Sequence, residues 1–80
     1  SSVLIGGKVS DVGGAPIIGA TVLVKGTTNG VSTDADGRFT LTIASPATAQ
    51  LEISYLGYEP QTLAVGNRTS FEITLAESAS

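Results

Sequence analysis

Two aspartates two positions apart, in Thr33-Asp34-Ala35-Asp36-Gly37, are the densest group of potential ligands in this sequence. Hard cations need several close oxygens, and an Asp-x-Asp pair is how a calcium loop begins. A complete loop also needs further donors and a closing bidentate Glu, whereas here Arg38 and Phe39 follow at once and read as the start of a strand. The preferred reading is a hairpin turn in which Asp caps backbone N–H groups and Gly37 takes a positive φ. Histidine and cysteine are absent, which removes nucleophile–base pairs, zinc sets and haem ligands. Glycoside hydrolysis needs two carboxyls about 5–10 Å apart across a cleft. Glu52, Glu59, Glu72 and Glu77 are the candidates, but Glu52 and Glu72 alternate outward and read as solvated face residues. The sequence is therefore read as non-enzymatic, with no catalytic residue, metal or cofactor expected.

Residues that bind rather than react give a shorter set. The ten glycines do not form a phosphate loop: Gly6-Gly7 and Gly13-Gly14 precede no helix, and Gly26–Gly30 lacks the required Lys, so all are read as turn or bulge residues. Asn67-Arg68-Thr69 fits a glycosylation sequon, with a turn Asn as its ordinary reading. Tyr55 and Tyr58 flank Leu56-Gly57. By alternation Tyr55 continues the core face of Leu51 and Ile53, while Tyr58 is balanced between half-buried packing and a surface anchor. Tyr58, together with Thr27 and Thr28 in the readily approached Gly26–Gly30 segment, makes up the candidate partner-contact set.

The elements that must position these residues are strands. Phe39, Leu41 and Ile43 alternate with threonines, Leu51 and Ile53 with Glu52 and Ser54, and Phe71, Ile73 and Leu75 with Glu72 and Thr74. Turn signals at 11–16, 26–30, 34–37 and 65–68 separate the runs, and no window holds helical spacing long enough for a helix. Strands are predicted near 3–10, 20–26, 29–33, 38–44, 49–56, 60–65 and 69–76, as an all-β two-sheet sandwich. Leu23, facing outward, is expected to be covered or to sit at an edge. Ser1, Ser2 and Glu77–Ser80 carry no pattern and are expected to fray or lead into linkers.

Composition narrows the partners. Eighty residues, 41% hydrophobic and 14% charged, suit one small folded domain over 1–80. A net charge of −3, with Lys8, Lys25, Arg38 and Arg68 scattered singly, argues against nucleic acid and against an anionic membrane surface. No run approaches a membrane span or an export signal.

Taken in order, Gly7-x-Val9-x-Asp11, Gly14-x-Pro16-x-x-Gly19-Ala20-x-Val22, Val24-x-Gly26-Thr27, Gly30-x-x-Thr33-Asp34-x-x-Gly37-x-Phe39 and Ser54-Tyr55-x-Gly57-Tyr58 resemble the carboxypeptidase-regulatory-like domains over roughly residues 5 to 76. They are most similar to the N-terminal extension of SusC-type TonB-dependent outer-membrane transporters of the Bacteroidetes. The resemblance implies a seven-stranded transthyretin-like Greek-key sandwich on the periplasmic side of the outer membrane. It also implies a non-catalytic role in coupling to, or choosing among, TonB-type energy-transducing partners, or in contacting the transporter's plug, while the barrel imports glycans or peptides. The TonB-contacting segment itself does not occur in these residues. Two other readings stand beside it: a carbohydrate-binding module, which usually displays more exposed aromatics, and a stalk or adhesion sandwich, cross-linked in its most specific form between Lys8 and Asn67.

Overall fold

The alternation seen in the sequence is realised as seven strands in a computed structural model that describes residues 2–79. They are β1 (Val3–Asp11), β2 (Thr21–Val24), β3 (Gly30–Ser32), β4 (Arg38–Ile43), β5 (Gln50–Ser54), β6 (Gln61–Ala64) and β7 (Ser70–Leu75). One sheet has the order β4-β1-β7 and the other β3-β2-β5-β6, a transthyretin-like Greek-key sandwich. β1 pairs antiparallel with β4 and parallel with β7, while the pairs in the second sheet are antiparallel.

The core follows from the period-two pattern. β4 and β7 alternate strictly between exposed and buried residues, sending Phe39, Leu41 and Ile43, and Phe71, Ile73 and Leu75, inward. They meet Val22, Leu51 and Ile53 from the opposite sheet in one apolar cluster. The outward Leu23 is half-buried, with its δ-methyl over Gly30, the residue opposite it on β3.

Gly6 and Gly7, within the predicted 3–10 strand but read as turn or bulge residues, lie in β1 with unbroken register to neighbours on both sides, so neither forms a bulge. Gly7 stands between Phe39 and Phe71, and a Cβ there would sit 2.9 Å from the Phe39 ring and 2.4 Å from the Phe71 carbonyl oxygen. The missing side chain is what lets two aromatic rings share one level of the core.

Two loops adopt the same local structure. In Asp11–Ala15 and in Asp34–Arg38, the aspartate Oδ1 accepts N–H groups from two and four residues on, all at 2.9 Å. In both, the aspartate C=O accepts the N–H of a glycine three residues on, and its own N–H donates to the carbonyl of the fourth. Gly37, with φ of 75°, closes the second of these loops. Removing the acceptor is expected to cost about 1–2 kcal/mol, by analogy with other side-chain caps of backbone donors. Asp34→Ala should therefore lower the urea midpoint measurably and Asp34→Asn, which keeps Oδ1, should restore most of it.

The flanks of the sandwich are closed by side chains. Asn29 donates from Nδ2 to the Thr42 carbonyl at 2.8 Å, joining the β2–β3 loop to β4, and Gln61 donates from Nε2 to the Thr74 carbonyl, joining β6 to β7. On the β4 edge, Arg38 has both backbone groups taken by Asp34. These contacts occupy groups that an incoming strand would need.

Residues 77 and 78, which carry no sequence pattern, nevertheless make backbone pairings. Glu77 forms an isolated antiparallel bridge with Tyr58, Glu59 N–H donates to the Ala76 carbonyl, and Ser78 N–H donates to the Gly57 carbonyl at 2.9 Å. The lack of alternation over 77–79 concealed this, because backbone pairing there involves no buried face. Ser1 and Ser80, also expected to fray, lie outside the described residues.

Candidate interaction site

Strand direction sorts the loops into two groups. β1 and β7 run the same way, and β4 runs back along β1. Residues 12–20, 33–37, 55–60 and 76–79 therefore gather at one end of the sandwich. Residues 25–29, 44–49 and 65–69 gather at the other.

This separates the three candidate contact residues. Thr27 and Thr28 occupy the β2–β3 loop, where the Thr27 hydroxyl is already engaged: it donates to the Val24 carbonyl at 2.8 Å and accepts from Asn29 N–H at 3.0 Å. Thr28 is exposed. Tyr58 lies at the opposite end, half-buried and packed against the core cluster. The structure does not bring the three together. It also leaves Lys8 in register with Arg38 and Glu72 on the outer face of the three-stranded sheet, whereas Asn67 belongs to the far loop.

Tyr55 is a correction. Alternation placed it on the core face, yet it is 39% exposed. The strand ends at Ser54, and Tyr55–Tyr58 form a tight turn in which Tyr58 N–H donates to the Tyr55 carbonyl at 3.0 Å and Gly57 takes φ of 88°. Positive φ at the third position with this hydrogen bond is a type II turn, and leaving the pleat ends the alternation. The two tyrosine rings lie 5.7 Å apart, tilted by 47°.

The turn raises Leu56 to 95% exposure, and Ile18, across Tyr55, is 58% exposed. Sequence reasoning passed over both. The available signal was local: each is an apolar residue beside a turn-forming Gly, Gly57 or Gly19, where no strand face can bury it. At this end the Thr33 hydroxyl and the Asp11 and Asp34 carboxylates accept backbone N–H groups of the loops themselves. Asp34 serves its own turn, and among the described residues no three His, Cys, Asp or Glu side chains come together as metal ligands.

The fold and this loop arrangement accompany a specific sequence match. Residues 5–80 match the model of the CarboxypepD_reg-like domain. The chain belongs to this family. Similar CarboxypepD_reg-like sequences occur in the TonB-dependent receptor SusC of Bacteroides thetaiotaomicron, 44% identical over 63 residues. A TonB-dependent receptor of Formosa agariphila is 41% identical over 69 residues. These alignments cover 79% and 86% of this chain but only 6% and 7% of the receptors, so the CarboxypepD_reg-like domain corresponds to a small part of either. Among solved structures, two interface mutants of a type II Cohesin-X-Dockerin complex from Acetivibrio cellulolyticus contain a chain with TM-scores of 0.72 and 0.71. Their identities are 23% and 24%, and the matches cover 94% and 91% of this chain and 58% and 56% of the others. That likeness concerns the sandwich fold alone.

Proposed function

We propose that this chain is a non-catalytic accessory domain of a TonB-dependent outer-membrane receptor of the SusC type, working on the periplasmic side as a single unit that helps the receptor couple to, or choose among, TonB-type partners. The observation that carries this reading is identity above 40% to two TonB-dependent receptors over most of the chain, within a small fraction of their length. The fold is compatible with it: the Thr27 hydroxyl and the Asp34 carboxylate are engaged in their own turns, and among the described residues no three His, Cys, Asp or Glu side chains come together as metal ligands. Closed flanks favour a loop end over strand addition as the contact.

The test is to delete the domain from the parent receptor and measure substrate uptake and the amount of receptor in the outer membrane separately. Uptake should fall while receptor abundance holds. A parallel fall in both would replace coupling by a role in folding or export, and unchanged uptake would refute an accessory role in transport.

A further inference from the structure

The end of the sandwich built from residues 12–20, 33–37 and 55–60 combines an apolar centre with an acidic surround. Asp11, Asp34, Asp36, Glu59 and Glu77, five of the seven carboxylates, lie in these loops or beside them. Lys25 and Arg68 lie in loops of the opposite end, and Lys8 and Arg38 stand in register on the outer face of the three-stranded sheet, flanking this end from one side.

At the centre, Tyr55 is the common wall of two neighbouring depressions. One, a shallow depression of about 460 Å³ open to solvent, is bounded by Gly19, Thr21 and Leu56, and the other, of about 250 Å³, by Asp11, Ile18 and Tyr58. The second is smaller than the roughly 300–1,000 Å³ of small-molecule pockets and suits one or two side chains. A lone exposed Leu is ordinary. Leu56 differs because its backbone is held in place: the turn hydrogen bond fixes it from within, and Ser78 N–H grips the Gly57 carbonyl from outside. Covering it then orders one side chain and no loop, which keeps the entropic cost of docking small.

We propose that this end docks a segment of a partner protein in which apolar side chains are interspersed with Lys or Arg, the apolar groups covering Leu56 and entering the depression beside Tyr55 and Ile18, and the cations facing Asp11, Glu59 and Glu77. The proposal rests on the accessory-domain reading for its context and adds the chemistry of the partner. Opposite charges around an apolar centre steer encounter and fix register, while the apolar contacts hold the complex.

The experiment is an amide-resolved NMR titration of this chain with the peptide Lys-Leu-Lys-Phe-Lys-Leu-Lys, capped at both ends. Controls are the same peptide with Glu for every Lys, the same with Ser for Leu and Phe, and maltoheptaose. The lysine peptide should shift resonances at Ile18, Gly19 and Tyr55–Tyr58, and added salt should weaken it. Leu56→Ser should weaken binding about 10-fold, as for an interface anchor, without lowering the melting temperature. Asp11→Asn, which keeps the Oδ1 acceptor of its turn, should also weaken it. The proposal is overturned by equal binding of the glutamate peptide, by shifts confined to residues 25–29 and 65–69, by binding that survives Leu56→Ser, or by no saturation up to about 5 mM. Shifts of Tyr55 and Tyr58 by maltoheptaose in place of the peptide would assign the surface to sugar and equally overturn it. Deletion in the receptor tests the accessory role independently, since uptake can fail to respond while peptide binding persists, and the reverse.

Discussion

Gly7→Ala is expected to cost more than about 3 kcal/mol, a large part of the stability of the fold. A β-carbon at Gly7 would lie 2.4 Å from a backbone oxygen of β7, which cannot rotate away as a side chain does. Relief requires β1 and β7 to part, and the Phe39 ring, 2.9 Å away, to shift as well, which disturbs the centre of the three-stranded sheet. Overpacking of this kind costs about 1–3 kcal/mol where neighbours can adjust and more where they cannot. A chain of this size has only about 4–12 kcal/mol in total. Urea unfolding followed by far-ultraviolet circular dichroism checks it, with Gly6→Ala as a comparison, because its β-carbon would meet its nearest atom, the Phe39 oxygen, only at 3.2 Å. Equal midpoints for the two variants would show that the strands have slack the structure does not suggest.

Thr33→Val is expected to cost about 2–6 kcal/mol, although it preserves shape. Thr33 is the buried polar residue of the core region, 4% exposed, and its hydroxyl donates to the Ile17 carbonyl at 2.6 Å while accepting from Ala20 N–H at 2.9 Å. Valine would leave that carbonyl and that N–H buried and unpaired, each at about 1–3 kcal/mol. Backbone bonds from Gly19 to Thr33 and from Thr33 to Ala20 hold the same two loops together, so the damage should stay local. Thr33→Ser, which keeps the hydroxyl, should recover most of the loss in a thermal melt. A valine variant as stable as the parent would mean that water reaches these groups.

The sandwich was legible because alternation is a local property that burial enforces. Runs such as Phe39–Ile43 and Phe71–Leu75 have one apolar face each, and both became strands with that face inward. Turns rich in Asp and Gly were legible for a similar reason, since Asp34 and Gly37 act within their own five residues. What escaped notice depends on residues far apart in the chain. Gly7 is required by two phenylalanines 32 and 64 positions away, and nothing near it in sequence distinguishes that need from a bulge. Thr33 likewise answers to Ile17 and Ala20. At the interaction site, alternation was extended one residue too far: Tyr55 continues the pattern of Leu51 and Ile53 in type but not in geometry, because the type II turn begins there. Thr27 and Thr28 were grouped with Tyr58 because exposure can be judged residue by residue. That they lie at opposite ends follows only from the order and direction of the strands.

The parallel pairing of β1 with β7 has a mechanical meaning. Ser2 leads into β1 at one end of the sandwich and Ala79 follows β7 at the other, so tension applied to these residues draws the two neighbouring strands lengthwise in opposite directions. The six registered pairs from Gly6–Ser70 to Asp11–Leu75 then carry the load together in shear. They must yield collectively, whereas a hairpin pulled from its open end unzips bond by bond. Pulled at these two points, the domain would keep its length until those pairs shear.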